Sequence, residues 1–410
     1  MLVSPDLTEP RWASAWSVEE GERRARARMR HVFGADARYV WSAPGLLNIV
    51  GEYTDISHGV ALTTPGPHRT YVAAAPRPDQ VVRITTDLVD ESGNESPPWE
   101  CDLESLPNLV DHAGWVAHPV GVLWALLERG YAGRGMDLAF VSCLPPSGGL
   151  FSSAALAAAT ALAANGLWGL ALKTDITAVD LAGVCMEAAN DAIGGVTAGL
   201  PQHGILRGTP DEALHLDFAT TPPRATACPL PFAEYGLGLL LIDTRASQPE
   251  QARIVRERLT QTARAVEALG VESIGAMRDV PGALARIEAL DDPLLRKRAR
   301  HVFTENERVE VVRDELTGTA PAHERFVAVG KAMYRSHASL EVDFDVSSDA
   351  LNLAVDVAFE AGALGARLVG SGRRGSAVAL IRHSQAARTA RLIDAQFRAS
   401  GLQRPVFALF

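Results

Sequence analysis

The sequence predicts an α+β fold in two domains, and three observations carry that expectation. The chain has 410 residues, more than one simple hydrophobic core accommodates. Strand-like and helix-like segments mix without the strict alternation of a doubly wound sheet. A proline-rich stretch from Thr220 to Pro231, with Pro222, Pro223, Pro229 and Pro231, breaks the pattern near the middle. The expected domains are therefore residues 1–220 and 221–410.

Taken in order, Trp12 to Phe33 reads as a helix stopped by Gly34. Arg38–Trp41, Thr70–Ala75 and Val81–Thr85 read as strands, with Ala43 to His58 between them as a glycine-punctuated loop. Trp115–Leu127 reads as a helix. Leu138–Cys143 is a strand that runs into Leu144-Pro145-Pro146-Ser147-Gly148-Gly149, and a long alanine-rich helix follows. Val179–Asp191 is another helix and Leu237–Asp243 a strand. Leu295, Ala299, Val302, Val309, Val312 and Leu316 recur at helical spacing in the second half. The chain closes with strands Ala366–Val369 and Ala377–Ile381, helix Gln385–Arg398 and strand Val406–Phe410.

Composition excludes several classes. Apolar residues make up 47% and charged residues 21%, as in ordinary globular proteins. A net charge of −10 disfavours a general nucleic-acid or anionic-membrane surface. Ala154–Leu172 is apolar enough to resemble a span, but its glycines, Thr160 and Asn165 favour a buried helix. The N-terminus carries Asp6, Glu9, Glu19 and Glu20 and does not read as a secretory signal. The four cysteines, Cys101, Cys143, Cys185 and Cys228, form no CxxC and read as free thiols of a reducing compartment, so a cytoplasmic protein is expected. The eleven histidines form no paired ligand pattern.

Three segments are candidates for chemistry. In Pro145 to Ala154 a strand passes through Ser147, Gly148, Gly149, Phe151, Ser152 and Ser153 into a helix. Glycines admit close backbone approach, and a helix N-terminus presents free N–H groups to an anion. No Gly-Lys-Ser/Thr closes it, and a structural turn capping a buried helix accounts for it equally well. In Ala43 to Asp55, Glu52 and Asp55 offer two carboxylates three residues apart, suited to sugar hydroxyls; a solvated loop is the bland account. Gly370-Ser371-Gly372-Arg373-Arg374-Gly375 reads as a phosphate-facing turn or as a tight connection between strands.

Order and spacing then become diagnostic. Ala43–Asp55 resembles the galactokinase signature A-P-G-R-V-N-L-I-G-E-H-T-D. Leu144–Leu156 resembles the phosphate loop of the GHMP kinases, and Gly370–Ser376 their third motif. Arg298–Arg308, Ser336–Leu340 and Gly362–Arg367 match the family strings R-A-R-H-V-x-T-E-N-x-R, S-H-x-S-L and G-A-L-G-A-R, and Gly114-Trp115 with Gly121 fit the segment before the phosphate loop. The resemblance implies a two-domain GHMP fold with the ligand cleft between the domains. It also implies ATP and magnesium as cofactors, and phosphorylation of galactose at C1.

The resemblance also marks departures. Leu46 stands where the family has arginine, Pro201 where it has the catalytic aspartate, and Ala189 where it has the magnesium carboxylate. A one-residue shift would put Gln202 at the base position, and Glu187 sits about 200° around a helix from Ala189. Phe151 and Ser147 replace a small residue and a glycine; Arg373 and Arg374 replace phenylalanine and glycine; Tyr53 replaces histidine. The family's sugar-contacting tyrosine before the helix near Gln251 has no counterpart. The implied sugar site is Glu52, Tyr53 and Asp55. The implied phosphate site is Ser147, Gly148, Gly149, Ser152, Ser153, Gly370, Gly372, Arg373 and Arg374. The expectation is a pseudoenzyme-like protein with impaired chemistry that binds a sugar, a sugar phosphate, a nucleotide or a partner protein. The alternative is an active ATP-dependent sugar kinase.

Overall fold

The computed structural model describes residues 9–88, 95–108, 114–145, 149–170, 176–246, 250–370 and 375–410. Helices and sheets mix as expected, around two sheets.

The first sheet is built on a long antiparallel pair, β2 (Tyr39–Val50) and β3 (Val60–Pro76), paired from Tyr39↔Ala74 to Val50↔Leu62 with register shifts between Pro44 and Leu46 and between Asn48 and Val50. The sequence predicts a loop from Ala43, but Ala43–Val50 stays in the strand because Leu46, Leu47, Ile49 and Val50 are all buried. The far edge of β3 pairs with β6 (Met136–Ser142) through Thr70–Pro76 and with β7 (Glu212–Asp217) through Val60–Thr63. Beyond β6 lie β4 (Val81–Thr86) and β5 (Trp99–Asp102); beyond β7 lies β8 (Arg224–Pro229). One face of the β2–β3 pair carries α3 (Ser152–Trp168) and α5 (Leu200–Arg207), and α2 (Ala117–Glu128) and α4 (Ala178–Glu187) pack on α3. The alanine-rich α3 is buried on nearly every side. Among the described residues no helix is long and apolar enough to cross a membrane.

The second sheet runs β1–β12–β9–β11–β10, where β1 is Arg11–Trp12, β9 Leu237–Asp243, β10 Gly365–Val369, β11 Ser376–Arg382 and β12 Val406–Leu409. The helix expected from Trp12 begins at Val18 instead. Ser17 caps α1 (Val18–Phe33), Gly34 ends it in the left-handed region, and Arg11–Trp12 pairs with Val406–Phe407. The second core is closed by α6 (Gln251–Leu269), α7 (Ala283–Glu288), α8 (Pro293–Thr317), α9 (Ala322–Val342), α10 (Asp349–Glu360) and α11 (Ala386–Ala399). We propose the domain division at 220/221; β8 pairs in the first sheet and β1 in the second, so one strand crosses that division each way.

Helix α8 joins the two halves. Leu295, Ala299 and Val302 sit in the core of the second sheet, whereas Val309, Val312 and Leu316, farther along the same apolar stripe, sit in that of the first. The stripe read from the sequence is thus a pin through both cores. The four cysteines are free thiols, three of them buried.

Candidate active site

The site begins where β2 ends. Gly51 has φ 101°, and a β-carbon there would lie 2.7 Å from Ala61 Cα; only glycine fits this turn. Tyr53 follows at φ 65°. Thr54 Oγ1 donates to Val60 O at 2.7 Å, folding the loop back on itself, and Asp55–Ser57 make a 3₁₀ turn.

The matching motifs of α8 and α9 hold this loop in place. Glu305, fully buried, accepts from Gly51 N at 3.0 Å and from Ser336 Oγ at 2.7 Å, and pairs with Arg308 at 2.6 Å. Asn306 Oδ1 accepts from Val60 N at 2.7 Å. His301 Nε2 donates to Glu52 O at 3.2 Å, so its Nδ1 accepts from Ser339 Oγ at 2.8 Å. Burial holds His301 near 4, and therefore neutral at pH 7. His337 Nδ1 accepts from Leu368 N at 3.2 Å, which ties α9 to β10. Fold maintenance at these motifs thus takes the concrete form of clamping the loop that carries Glu52 and Asp55.

A cavity of about 310 Å³ opens on that loop. Glu52, Tyr53, Asp55 and Gly370 line it together with Phe151 and Ser153 from the start of α3. Burial lifts Glu52 to about 7 against the pull of Arg367, and lifts Asp55 to about 6 against backbone N–H donors that include Ala198. The Tyr53 ring lies 4.4 Å from that of Phe344, and burial pushes its hydroxyl upward. Glu52 Oε1 accepts from Gly370 N at 2.8 Å, joining the sugar loop to the third glycine motif. Gly370 also meets the first glycine loop: a β-carbon on it would lie 3.4 Å from Gly149 Cα. Gly149 itself has φ 83°, with Ser376 against it.

The departures divide between wall and core. Ala189 and Pro201 line the cavity and bring no charge to it. Leu46 is not on the wall; it is fully buried and packs against α5. The helix expected to reach Asp191 changes to a π turn over Ala188–Ala192, where Asn190 brackets Thr197 with bonds of 2.9 and 3.0 Å. Glu187 is spoken for at the surface, paired with Arg129 at 2.8 Å. In place of the absent tyrosine, α6 contributes Val255 and Leu259 to the wall. Ser152 begins α3, and only its neighbour Ser153 lines the cavity. Ser147, Gly148, Gly372, Arg373 and Arg374 lie outside the described residues.

Sequence reasoning missed His118, which also lines the cavity, as do Cys185, read there only as a free thiol, and Gln202, named only as the alternative base position. Burial lowers His118, so it is a neutral imidazole there. It lies one turn before Gly121, whose position packs on Ala188 and Ala192, and that spacing after Gly114-Trp115 was its only signal.

Comparison with known proteins agrees with this geometry. Residues 28–76 match the galactokinase galactose-binding signature, residues 117–202 the GHMP kinase N-terminal domain and residues 319–399 the GHMP kinase C-terminal domain. A galactokinase of Streptomyces coelicolor is 35% identical over 381 residues, 92% of this chain and 93% of that protein. One of Mycobacterium bovis is 34% identical over 341 residues, covering 83% and 88%. The crystal structure of Lactococcus lactis galactokinase complexed with galactose superposes with a TM-score of 0.82 at 24% identity, over 95% of this chain and 97% of that one. The Methanococcus jannaschii mevalonate kinase shares the fold at a TM-score of 0.59 and 13% identity, over 91% and 96%. From its sugar loop to its last helix, this chain belongs to the galactokinase family of the GHMP kinases.

Proposed function

We propose that the chain binds a galactose-like hexose through Glu52 and Asp55, and that it is an ATP-dependent sugar kinase of weakened power. One observation carries this: both carboxylates face the cavity that Ser153 and Gly370 reach from the two glycine motifs, while Ala189 and Pro201 bring no charged group to its wall. The relatives named galactokinase support the kinase part of the reading.

The residues present fit a nucleotide better than a metal. Phe151, at the N-cap of α3, makes no side-chain cap hydrogen bond, and the start of a helix offers N–H groups to phosphate oxygens. At Ala189 the wall offers a magnesium ion a methyl group in place of a carboxylate. Transfer then rests on positioning. In transfer the hexose hydroxyl oxygen would bond to the terminal phosphorus of ATP as the bond to ADP breaks and ADP leaves, the hydroxyl proton passing to water because Pro201 cannot take it. Each absent charge-stabilising group removes about two decades of rate, or about 2.7 kcal/mol.

A binder without catalysis, for a sugar, a sugar phosphate or a nucleotide, is the second reading, and the uncharged wall at Ala189 and Pro201 favours it. Coupled ADP release with a panel of hexoses, beside calorimetry with galactose, separates the two. Slow, galactose-dependent ADP release supports the weakened kinase. Galactose binding without ADP release supports the binder. Turnover of ordinary size, about 1–1,000 per second, overturns the weakening, and no binding of galactose overturns the sugar part of both readings.

A further inference from the structure

The G-A-L-G-A-R match ends in Arg367, to which neither sugar binding nor phosphoryl transfer has given a task. Arg367 is fully buried in β10, among the largest side chains without solvent contact. Its Nη1 donates to Asn48 O and Ile49 O, both at 3.0 Å, on the strand that delivers the sugar loop. Its Nη2 lies 3.3 Å from Glu52 Oε1. The same oxygen accepts from Gly370 N. A single guanidinium therefore touches the backbone on one side of Gly51 and the carboxylate on the other.

We propose that Arg367 is the positioning residue of the sugar site: its planar fork fixes the backbone before Gly51 and the Glu52 carboxylate together, so that Glu52 meets the sugar in one orientation. This rests on the sugar-binding reading of Glu52. A buried cation is costly unless paired, and among the described residues its one carboxylate partner at contact distance is a residue of the cavity wall. Lysine could not replace it, because a single ammonium cannot span two carbonyls and a carboxylate with fixed geometry. The charged and titratable groups facing Glu52 are Arg367 on β10, Glu305 on α8 and the adjacent Tyr53, with His301 on its backbone oxygen. Of these, Arg367 alone favours the ionised carboxylate, by its charge 3.3 Å from Oε1 in an ion pair without a hydrogen bond.

The test compares the parent with Arg367→Lys and Arg367→Met. Glu52 is titrated in the unliganded proteins by carboxyl carbon NMR, its resonance assigned by loss in Glu52→Gln, and galactose affinity is measured by calorimetry against pH. In Arg367→Met the Glu52 midpoint is expected to rise by about one unit or more, with galactose binding about tenfold weaker at neutral pH. In Arg367→Lys the charge stays but the fork is lost, and binding weakens with a smaller shift of the midpoint. A Glu52 titration unchanged in both folded variants overturns the proposal. So does an Arg367→Lys protein that fails to fold, since the residue is then a core member and not a positioning one. If the parent binds no galactose, the sugar reading fails by itself, and the Glu52 titration still judges Arg367.

Discussion

The side chain of Leu46 lies on the backbone of Gly204: a β-carbon at Gly204 would stand 2.5 Å from Leu46 Cδ2. Gly204 comes one turn after Pro201 on α5, and residues three apart share a helix face. Pro201 lies one turn earlier on that helix and lines the cavity, and both it and Leu46 are apolar. Arginine alone at position 46 would enter a closed core. Leu46→Arg is expected to cost about 3–5 kcal/mol as an unpaired buried charge, read from the urea midpoint. Adding Pro201→Asp should recover at least half of that loss, because contacting charges couple. A single variant as stable as the parent would show that core to be open.

Chemistry should follow the same logic. Leu46→Arg, Ala189→Glu and Pro201→Asp together are expected to raise ADP release about a hundredfold or more over any single change. Groups that act as a unit are strongly non-additive. A triple variant that folds but stays at the parent's rate would place the obstruction at the nucleotide loop. Phe151, left-handed at φ 50° and on the cavity wall, is then the residue to make small.

The fold was legible largely because periodicity and punctuation report burial. The stripe from Leu295 to Leu316 and the closing strands and helix lie where the spacing puts them, within a residue or two. The start of α1 was missed because Trp12 pairs with a strand nearly four hundred residues away, a contact that local pattern does not carry. Ala43–Val50 was misread as loop because Gly45 and Pro44 look like punctuation, yet the segment is covered on both faces. At the site, Glu52 and Asp55 were readable from a motif. The clamp by Glu305, Asn306 and Ser336, and the placing of Leu46 in the core and of His118 on the wall, depend on packing between elements far apart in the chain.

Glu305 gives an acid-side prediction. Burial would raise it, but Arg308 and Arg367 overcome that and hold it near 2, below its ordinary 4.5. A depressed carboxylate contributes stability that is present above 4.5 and lost as pH falls toward 2. The contribution is about 3 kcal/mol. Glu305→Gln should lower stability at neutral pH by that order and flatten the loss between 4.5 and 2. Thermal melts across that window check it; parallel pH profiles for parent and variant would sink it.

Glu52 has the opposite sign. Its folded value of about 7 lies above 4.5, so the folded state binds the proton more tightly. Its contribution is fully present below 4.5 and declines as pH rises to about 7. Glu52→Gln should therefore lose the parent's decline in stability between pH 4.5 and about 7, while binding galactose more weakly. Parallel pH profiles for parent and variant across that window would contradict this. Site residues that weaken the fold to serve a ligand are expected of functional clefts.

The last prediction concerns the anion. Gly370 and Gly149 bring the two glycine motifs into contact, and Ala189 leaves that region without a metal carboxylate. Arg373 and Arg374 follow Gly370 in the sequence, outside the described residues. Guanidinium groups are forked, permanently charged donors suited to phosphate, and could supply the positive charge that magnesium supplies elsewhere. We expect ATP, ADP and galactose 1-phosphate to bind in the presence of a chelator. Arg373→Ala with Arg374→Ala should weaken that binding about tenfold or more, roughly the worth of one charge-assisted hydrogen bond, and added salt should weaken the parent more than the double variant. Isothermal titration decides it: equal binding of every anion to both proteins, or to neither, would mean that these arginines are solvated and that the positive charge is not theirs to give.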